Sequence, residues 1–284
     1  MSGDFLEQMA RSSAQRVMEA RRQMTEARLQ SLAEGMSAAP QLVLSATGFD
    51  LIAELKRRSP AAGALAAASD AVAGRVAAYA RAGAAAISVL TEPARFDGSL
   101  QHLETAAQAL QPFKVPAMRK DFLVDPYQLL EARIAGAGGV LLILRMLSFE
   151  QISALLDCAR RLGLFVLLET FDEIDIEIAH RVLAAARSDQ YASRPPILVG
   201  VNCRDLTTLA VVPGRLERLA QLLPAGAPRV AESGVGGAAD AARAAGVGYD
   251  LALVGSALMA GGDPAPLVSQ MLAAGRRARA QRAP

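Results

Sequence analysis

At 284 residues with 52% hydrophobic side chains, the chain can bury a full core, and a closed α/β barrel commonly uses about 250 residues as one domain. A formal net charge of +2 gives no whole-chain signal for nucleic acid, and 4% aromatic residues with no tryptophan argue against stacking platforms for single strands. Cys158 and Cys203 fit no zinc or CxxC spacing, and His102 and His180 alone leave a metal site or a Ser-His-Asp triad little to draw on.

The early acids Asp4, Glu7 and Glu19 argue against a transit peptide, and no uncharged run is long enough to span a bilayer. A reduced, cytoplasmic protein with neither a membrane nor a nucleic-acid partner is therefore expected. From Asp4 to about Gly35 the chain reads as one charged, helix-prone stretch, with Phe5, Met9, Val17, Met24 and Leu29 at loosely helical spacing. Residues 1–40 are assigned to an N-terminal helical extension.

Eight strand candidates follow, alternating with Ala-rich amphipathic segments: Leu51–Leu55, Ala85–Leu90, Val115–Met118, Gly139–Leu144, Leu164–Leu168, Ile197–Val201, Arg229–Ala231 and Leu251–Val254. Asp125-Pro126 and Asp263-Pro264 each offer an N-cap acid followed by proline, and Ser148-Phe149-Glu150-Gln151 has capping-box spacing. Such alternation implies parallel strands joined by right-handed crossovers. An open doubly wound sheet would also alternate, but Gly136-Ala137-Gly138-Gly139 precedes a strand and lacks the third glycine of a nucleotide fingerprint. The expected fold is a closed (β/α)8 TIM barrel over residues 48–280 of one domain, 1–284. The segment from Arg181 to Pro196 reads as an irregular surface link.

In the first strand, Glu54 and Lys56 lie two residues apart, so both leave on the face that carries Ile52. A solvated edge strand with a surface ion pair is the alternative reading. Strand ends elsewhere weigh against it: Arg119-Lys120-Asp121 ends the third, Glu169 the fifth, Asn202 and Arg204 the sixth, and Glu232-Ser233-Gly234 the seventh. Parity puts Lys120 with Met118, Glu169 with Leu167 and Asn202 with Gly200, all able to face the barrel mouth where such folds place their chemistry. Three carboxylates and two lysines in one concave site can have their pKa values drawn apart into acid and base roles. After the last two strands, Ser233-Gly234-Val235-Gly236-Gly237 and Gly255-Ser256-Ala257 offer backbone amides and hydroxyls leading into helices, which suits a phosphorylated small-molecule substrate.

These residues resemble the indole-3-glycerol-phosphate synthase family of tryptophan biosynthesis. The likeness runs from about residue 50 to the end and rests on Ile52-Ala53-Glu54-Leu55-Lys56-Arg57-Arg58-Ser59-Pro60, Ile87-Ser88-Val89-Leu90-Thr91-Glu92, Arg119-Lys120-Asp121-Phe122 and Asp125-Pro126-Tyr127-Gln128. It continues through Leu168-Glu169, Gly200-Val201-Asn202-Cys203-Arg204-Asp205-Leu206, Glu232-Ser233-Gly234 and Val254-Gly255-Ser256-Ala257-Leu258-Met259.

The resemblance implies a carboxy-lyase that closes the indole ring of a carboxyphenylamino-deoxyribulose phosphate, with loss of carbon dioxide and water and with no metal or organic cofactor. It implies Lys120 as the general acid toward the substrate carbonyl and Glu169 as the acid/base group of the dehydration. Glu54, Lys56, Asn202 and Glu232 would orient and charge-balance the site. Lys56, Ser59, Ser233, Gly234, Gly255 and Ser256 would surround the phosphate, with Arg204 near polar groups, and Leu90, Phe96, Phe122 and Leu142 would wall the aryl ring.

Ala231 before Glu-Ser-Gly, Ala61-Ala62 after Ser-Pro and the long Arg181–Pro196 link depart from the family pattern without touching those positions. A phosphoribosylanthranilate isomerase would need a Cys/Asp pair, and no cysteine ends the first strand. A non-catalytic phosphometabolite-binding barrel has no need for so many ionisable groups. Oligomeric state, monomer or weak homo-oligomer, stays open at this level.

Overall fold

The computed structural model of the chain describes residues 2–46, 48–59, 63–64, 72–187, 195–206, 208–260 and 262–282. Eight parallel strands close into a barrel: β1 (Asp50–Leu55), β2 (Ala86–Leu90), β3 (Ala117–Lys120), β4 (Gly139–Ile143), β5 (Phe165–Thr170), β6 (Ile197–Asn202), β7 (Arg229–Glu232) and β8 (Leu251–Val254). Pairing of β1 with both β2 and β8 completes the ring, so the sheet has no edge. The TIM barrel expected from the alternation is the observed fold. A short antiparallel pair, Arg58–Ser59 with Gly63–Ala64, follows β1.

Twelve α-helices are described: α1 (Ser2–Gln23), α2 (Glu26–Glu34), α3 (Val72–Arg81), α4 (Pro93–Phe96), α5 (Leu100–Leu110), α6 (Pro126–Ile134), α7 (Phe149–Arg161), α8 (Glu173–Arg187), α9 (Arg215–Ala220), α10 (Ala238–Val247), α11 (Ser256–Met259) and α12 (Ala265–Arg282). The capping signals act as their chemistry requires. Asp125 and Ser148 each form a reciprocal capping box, with Gln128 and Gln151. Asp263 accepts from the Ala265 N–H at the start of α12. No helix among the described residues is long and apolar enough to cross a membrane.

Alternation along each strand feeds two cores. Ile52, Ala86, Met118, Leu141, Leu167, Leu198, Val230 and Leu251 fill the barrel interior. Their neighbours, among them Leu51, Ile87, Val140, Leu142, Leu168, Val199 and Ala252, pack under the helices. With both faces buried, the strands are nearly continuous apolar runs, and the few charges they carry toward the interior stand out.

Three boundaries differ from the sequence reading. Pro116 has no N–H to give a ladder, so β3 starts at Ala117 and runs through Arg119 and Lys120. The N-terminal stretch is two helices rather than one, because Thr25 caps α2 by accepting from the Arg28 N–H. The irregular link begins later than Arg181: α8 continues to Arg187, carried by buried Val182 and Leu183. Residues 188–194, and Ala61-Ala62, lie outside the described residues.

Helix α1 crosses the open end of the barrel. Leu6 and Met9 join the interior core beside Phe122, and Arg16 grips Asp121 with two hydrogen bonds of 3.0 and 2.7 Å. Ser13 accepts from Gln128 Nε2 at 2.8 Å and donates to the Phe122 carbonyl at 2.5 Å.

Candidate active site

The C-terminal strand ends surround a cavity of about 380 Å³. Lys120, the last residue of β3, enters it because its parity is that of Met118. Its Nζ lies 3.1 Å from Glu169 Oε2 on β5 and 3.8 Å from Glu232 Oε2 on β7. Asn202, at the end of β6, donates from Nδ2 to Glu169 Oε1 at 3.3 Å and accepts the Arg204 N–H on its Oδ1 at 2.9 Å. Across the mouth, Lys56 Nζ meets Glu54 Oε1 at 2.9 Å. Arg204 is held over the rim by the Leu209 carbonyl at 2.5 Å.

Burial by itself would discharge the Lys120 ammonium, but Glu169, Glu232 and Glu54 outweigh it and raise its pKa above the usual lysine value. Burial also opposes ionisation of Glu54, yet Lys56, Lys120 and Arg204 hold it below the ordinary carboxylate range. Glu232 goes the other way: burial and the neighbouring Glu169 push it well above that range, with Lys120 only partly opposing. Both Glu232 oxygens are buried with no donor in reach, and a proton on the group faces Glu169. One cavity thus holds a firmly charged ammonium, a firmly charged carboxylate and a carboxyl group that favours its proton, the separation that acid–base chemistry needs.

The walls differ at the two ends. Phe5 from α1 meets Phe122 edge-on, with ring centroids 6.0 Å apart and planes at 79°, and Phe96 lies 6.3 Å from Phe122 on its other side. Glu92 fixes Phe96 by capping α4, accepting from the N–H groups of Ala94 and Arg95. At the other end Ser233 and Gly234 both take left-handed backbone conformations, turning the chain from β7 toward α10. Gly255 and Ser256 open α11 beside them. The Gly236 N–H is given to Asp240, whose carboxylate pairs with Arg243 at 2.8 Å. No group of three His, Cys, Asp or Glu side chains among the described residues could hold a metal ion.

A family model described as indole-3-glycerol phosphate synthase matches residues 6–271. The chain belongs to that family. Its relatives include the indole-3-glycerol phosphate synthase of Parafrankia sp. (strain EAN1pec), 45% identical over 233 residues that cover 82% of this chain and 81% of that protein. The one of Mycolicibacterium smegmatis (strain ATCC 700084 / mc(2)155) is 42% identical over 252 residues and 87% of each chain. Among solved structures, 3-hexulose-6-phosphate synthase from Salmonella typhimurium superposes with a TM-score of 0.59 at 14% identity, covering 82% of this chain and all of that one. That likeness shows the fold alone.

For this indole-3-glycerol phosphate synthase family member, Glu54, Lys56, Lys120, Glu169, Asn202, Arg204 and Glu232 all line the one cavity. So do Ser233, Gly234, Gly255 and Ser256, and the apolar Leu90, Phe96 and Phe122. The side chain of Ser59 lies outside the described residues. Leu142 does not reach the cavity: it is fully buried in the outer core, and Leu141 and Ile143 line the wall in its place. The parity of an all-apolar strand cannot be read without a polar marker, which Gly139–Ile143 lacks. Phe5 was missed as a wall residue, since nothing in a helical spacing says where the helix docks.

Proposed function

We propose that this chain closes the indole ring of 1-(2-carboxyphenylamino)-1-deoxyribulose 5-phosphate through Lys120 and Glu169. The aryl group would lie between Phe122, Phe96 and Leu90, and the phosphate against Ser233, Gly234, Gly255, Ser256 and Lys56. Holding both ends bends the flexible chain so that a ring carbon reaches the ketose carbonyl, which converts remote binding into a lower barrier.

As that carbon–carbon bond forms, the carbonyl oxygen gains negative charge and takes a proton from the Lys120 ammonium. An amine whose charge is supported by Glu169 and Glu54, with the Glu232 carboxyl beside them, keeps its proton until an oxyanion asks for it. Departure of carbon dioxide returns the bonding electrons to the ring and restores aromaticity. The new hydroxyl then leaves as water with a proton delivered to it, while a carbon-bound proton goes to a base. Glu169, hydrogen-bonded to Lys120 and Asn202, serves that exchange. Glu54, Lys56, Asn202 and Glu232 orient and charge-balance the site, with Arg204 at the substrate's polar groups.

The observation that carries this reading is Lys120: a buried ammonium between Glu169 and Glu232 at the floor of a cavity with an aromatic end and a Gly/Ser end. The partner is a phosphorylated small molecule, and one chain supplies every group named. Two buried free cysteines, Cys158 and Cys203, suit a reducing cytoplasm.

The test is the appearance of indole fluorescence on mixing protein and substrate, against a background free of tryptophan. Lys120→Ala and Glu169→Gln should both lose turnover. A folded wild-type protein that binds the substrate without turning it over would sink the reading.

A further inference from the structure

We infer that Gly200 is a positioning residue: the side chain it lacks is the space in which the Glu232 carboxyl group sits beside Lys120. The inference rests on the reading of Glu232 as part of the acid–base site. A Cβ at position 200 would stand 2.1 Å from Glu232 Oε1 and 3.0 Å from its Cδ, well inside the separation at which heavy atoms repel.

Backbone geometry gives no other reason for glycine there. Gly200 lies inside β6, outside the left-handed conformations that favour the residue. A glycine within a strand weakens it and often marks a close approach by another group. Here the closest approach is that of Glu232, with Leu167 Cδ1 next at 3.1 Å. Gly200 stands opposite Glu169 on β5, and Asn202, two residues on, stands opposite Glu232 on β7. The Thr170 hydroxyl donates to the Gly200 carbonyl at 2.7 Å and fixes that peptide from the neighbouring strand. A Cβ would therefore not be relieved by a small backbone shift, and the carboxyl group would have to move.

This space, more than any donor, places Glu232: neither of its oxygens has a donor in reach, Lys120 is 3.8 Å away, and its remaining polar neighbour is the Glu169 carboxylate. The same device recurs across the barrel: a Cβ at Gly255 would meet Glu54 Oε1 at 2.4 Å. Two of the three carboxyl groups around Lys120 thus occupy the room left by a glycine, one inside a neighbouring strand and one just past the end of another.

Turnover and thermal melting of Gly200→Ala, Glu232→Asp and the double variant test the inference. Gly200→Ala should lose about 100-fold in kcat, the penalty for disturbing the placement of the site's groups by about 1 Å, with KM changed by less than about threefold. Shortening the acid by one methylene restores room, so Gly200→Ala should cost at least about tenfold less in the Glu232→Asp background. Equal costs in the two backgrounds, or wild-type kcat in Gly200→Ala, would overturn the inference.

If Gly200→Ala does not fold, the pair Gly200→Ala with Glu232→Gly decides. Restored folding supports the assignment, and continued unfolding means that Gly200 serves something other than Glu232. Glu232→Gln separates this claim from the one beneath it: wild-type turnover there would remove Glu232 from the chemistry, while the melting cycle between positions 200 and 232 would still report on the space they share.

Discussion

Arg119, Lys120 and Asp121 are consecutive, yet they belong to two different buried charge clusters. Arg119 and Asp121 turn toward the helices. Arg119 donates to Thr91, to the Gln128 carbonyl, to Glu131 and to Asp121, and Asp121 also accepts from Arg16, Thr91 and the Phe122 N–H. Lys120 turns inward to three carboxyl groups, one of which, Glu232, has no donor within reach of either oxygen. Two cations and two anions balance the outer cluster and leave only Arg16 Nε without a partner, whereas the inner one crowds three carboxyl groups and leaves both Glu232 oxygens without a donor. Buried ions that are balanced in charge hold a structure together, and those that are not leave a field for a substrate to complete.

Breaking the inner cluster at its centre should have the largest effect on rate. Lys120→Ala is expected to lower kcat about 1000-fold, within the range for loss of a general acid and equal to about 4 kcal/mol of barrier. Breaking the outer cluster should reverse the pattern. Asp121→Asn leaves Arg119 and Arg16 short of their anion and is expected to cost about 3 kcal/mol of stability, read as a denaturant midpoint, with kcat falling far less than in Lys120→Ala. If Asp121→Asn proved the more damaging to kcat, the division between the clusters would be wrong.

Its pH dependence has a definite sign. Arg16 and Arg119 overcome burial and hold Asp121 at about 2, below its ordinary 3.8. The native state therefore binds this proton less readily than the unfolded chain, and the stabilisation is present above 3.8 and lost as pH falls toward 2. The stability gap between wild type and Asp121→Asn should narrow over that window.

That division was partly legible beforehand. Strand parity put Lys120, Glu169 and Asn202 on the inner face, because a charge in an apolar run marks which face is which. The same parity sends Arg119 and Asp121 outward, but the helix partners they find there, Gln128 and Glu131 of α6 for Arg119 and Arg16 of α1 for Asp121, leave no mark in local spacing. The places of Phe5 in the cavity wall and of Arg16 on Asp121 carry no sequence signal for that reason. Leu142 was misassigned because β4 carries no polar residue to set its phase. The role of Gly200 needed the position of Glu232, which lies thirty-two residues later in the chain.

Glu232→Gln sharpens the comparison from the other side. Burial and Glu169 raise the pKa of this carboxyl well above 4.5, so the native state binds the proton more tightly than the unfolded chain does. Wild-type stability from this group is present below 4.5 and lost as pH rises through the native value. A glutamine cannot ionise, and the variant should be about 1–2 kcal/mol more stable than wild type once pH exceeds that value. A stability difference that stays constant across the whole range would show that the Glu232 carboxyl titrates alike in the native and unfolded states.

The smallest effect should come from Phe5, where the outer cluster serves the inner one only indirectly. The Arg16–Asp121 grip anchors α1, and α1 lays Phe5 edge-on against Phe122 at the aryl end of the cavity. An edge-to-face pair is worth about 1 kcal/mol, and a wall contacts the aryl group equally before and during bond formation. Phe5→Ala should therefore raise KM about fivefold and leave kcat nearly unchanged, the signature of lost uniform binding. Lys120→Ala should show the opposite split, because its proton matters only once the oxygen carries charge. An unchanged KM in Phe5→Ala would mean that the substrate does not reach α1, and that the grip on Asp121 serves stability alone.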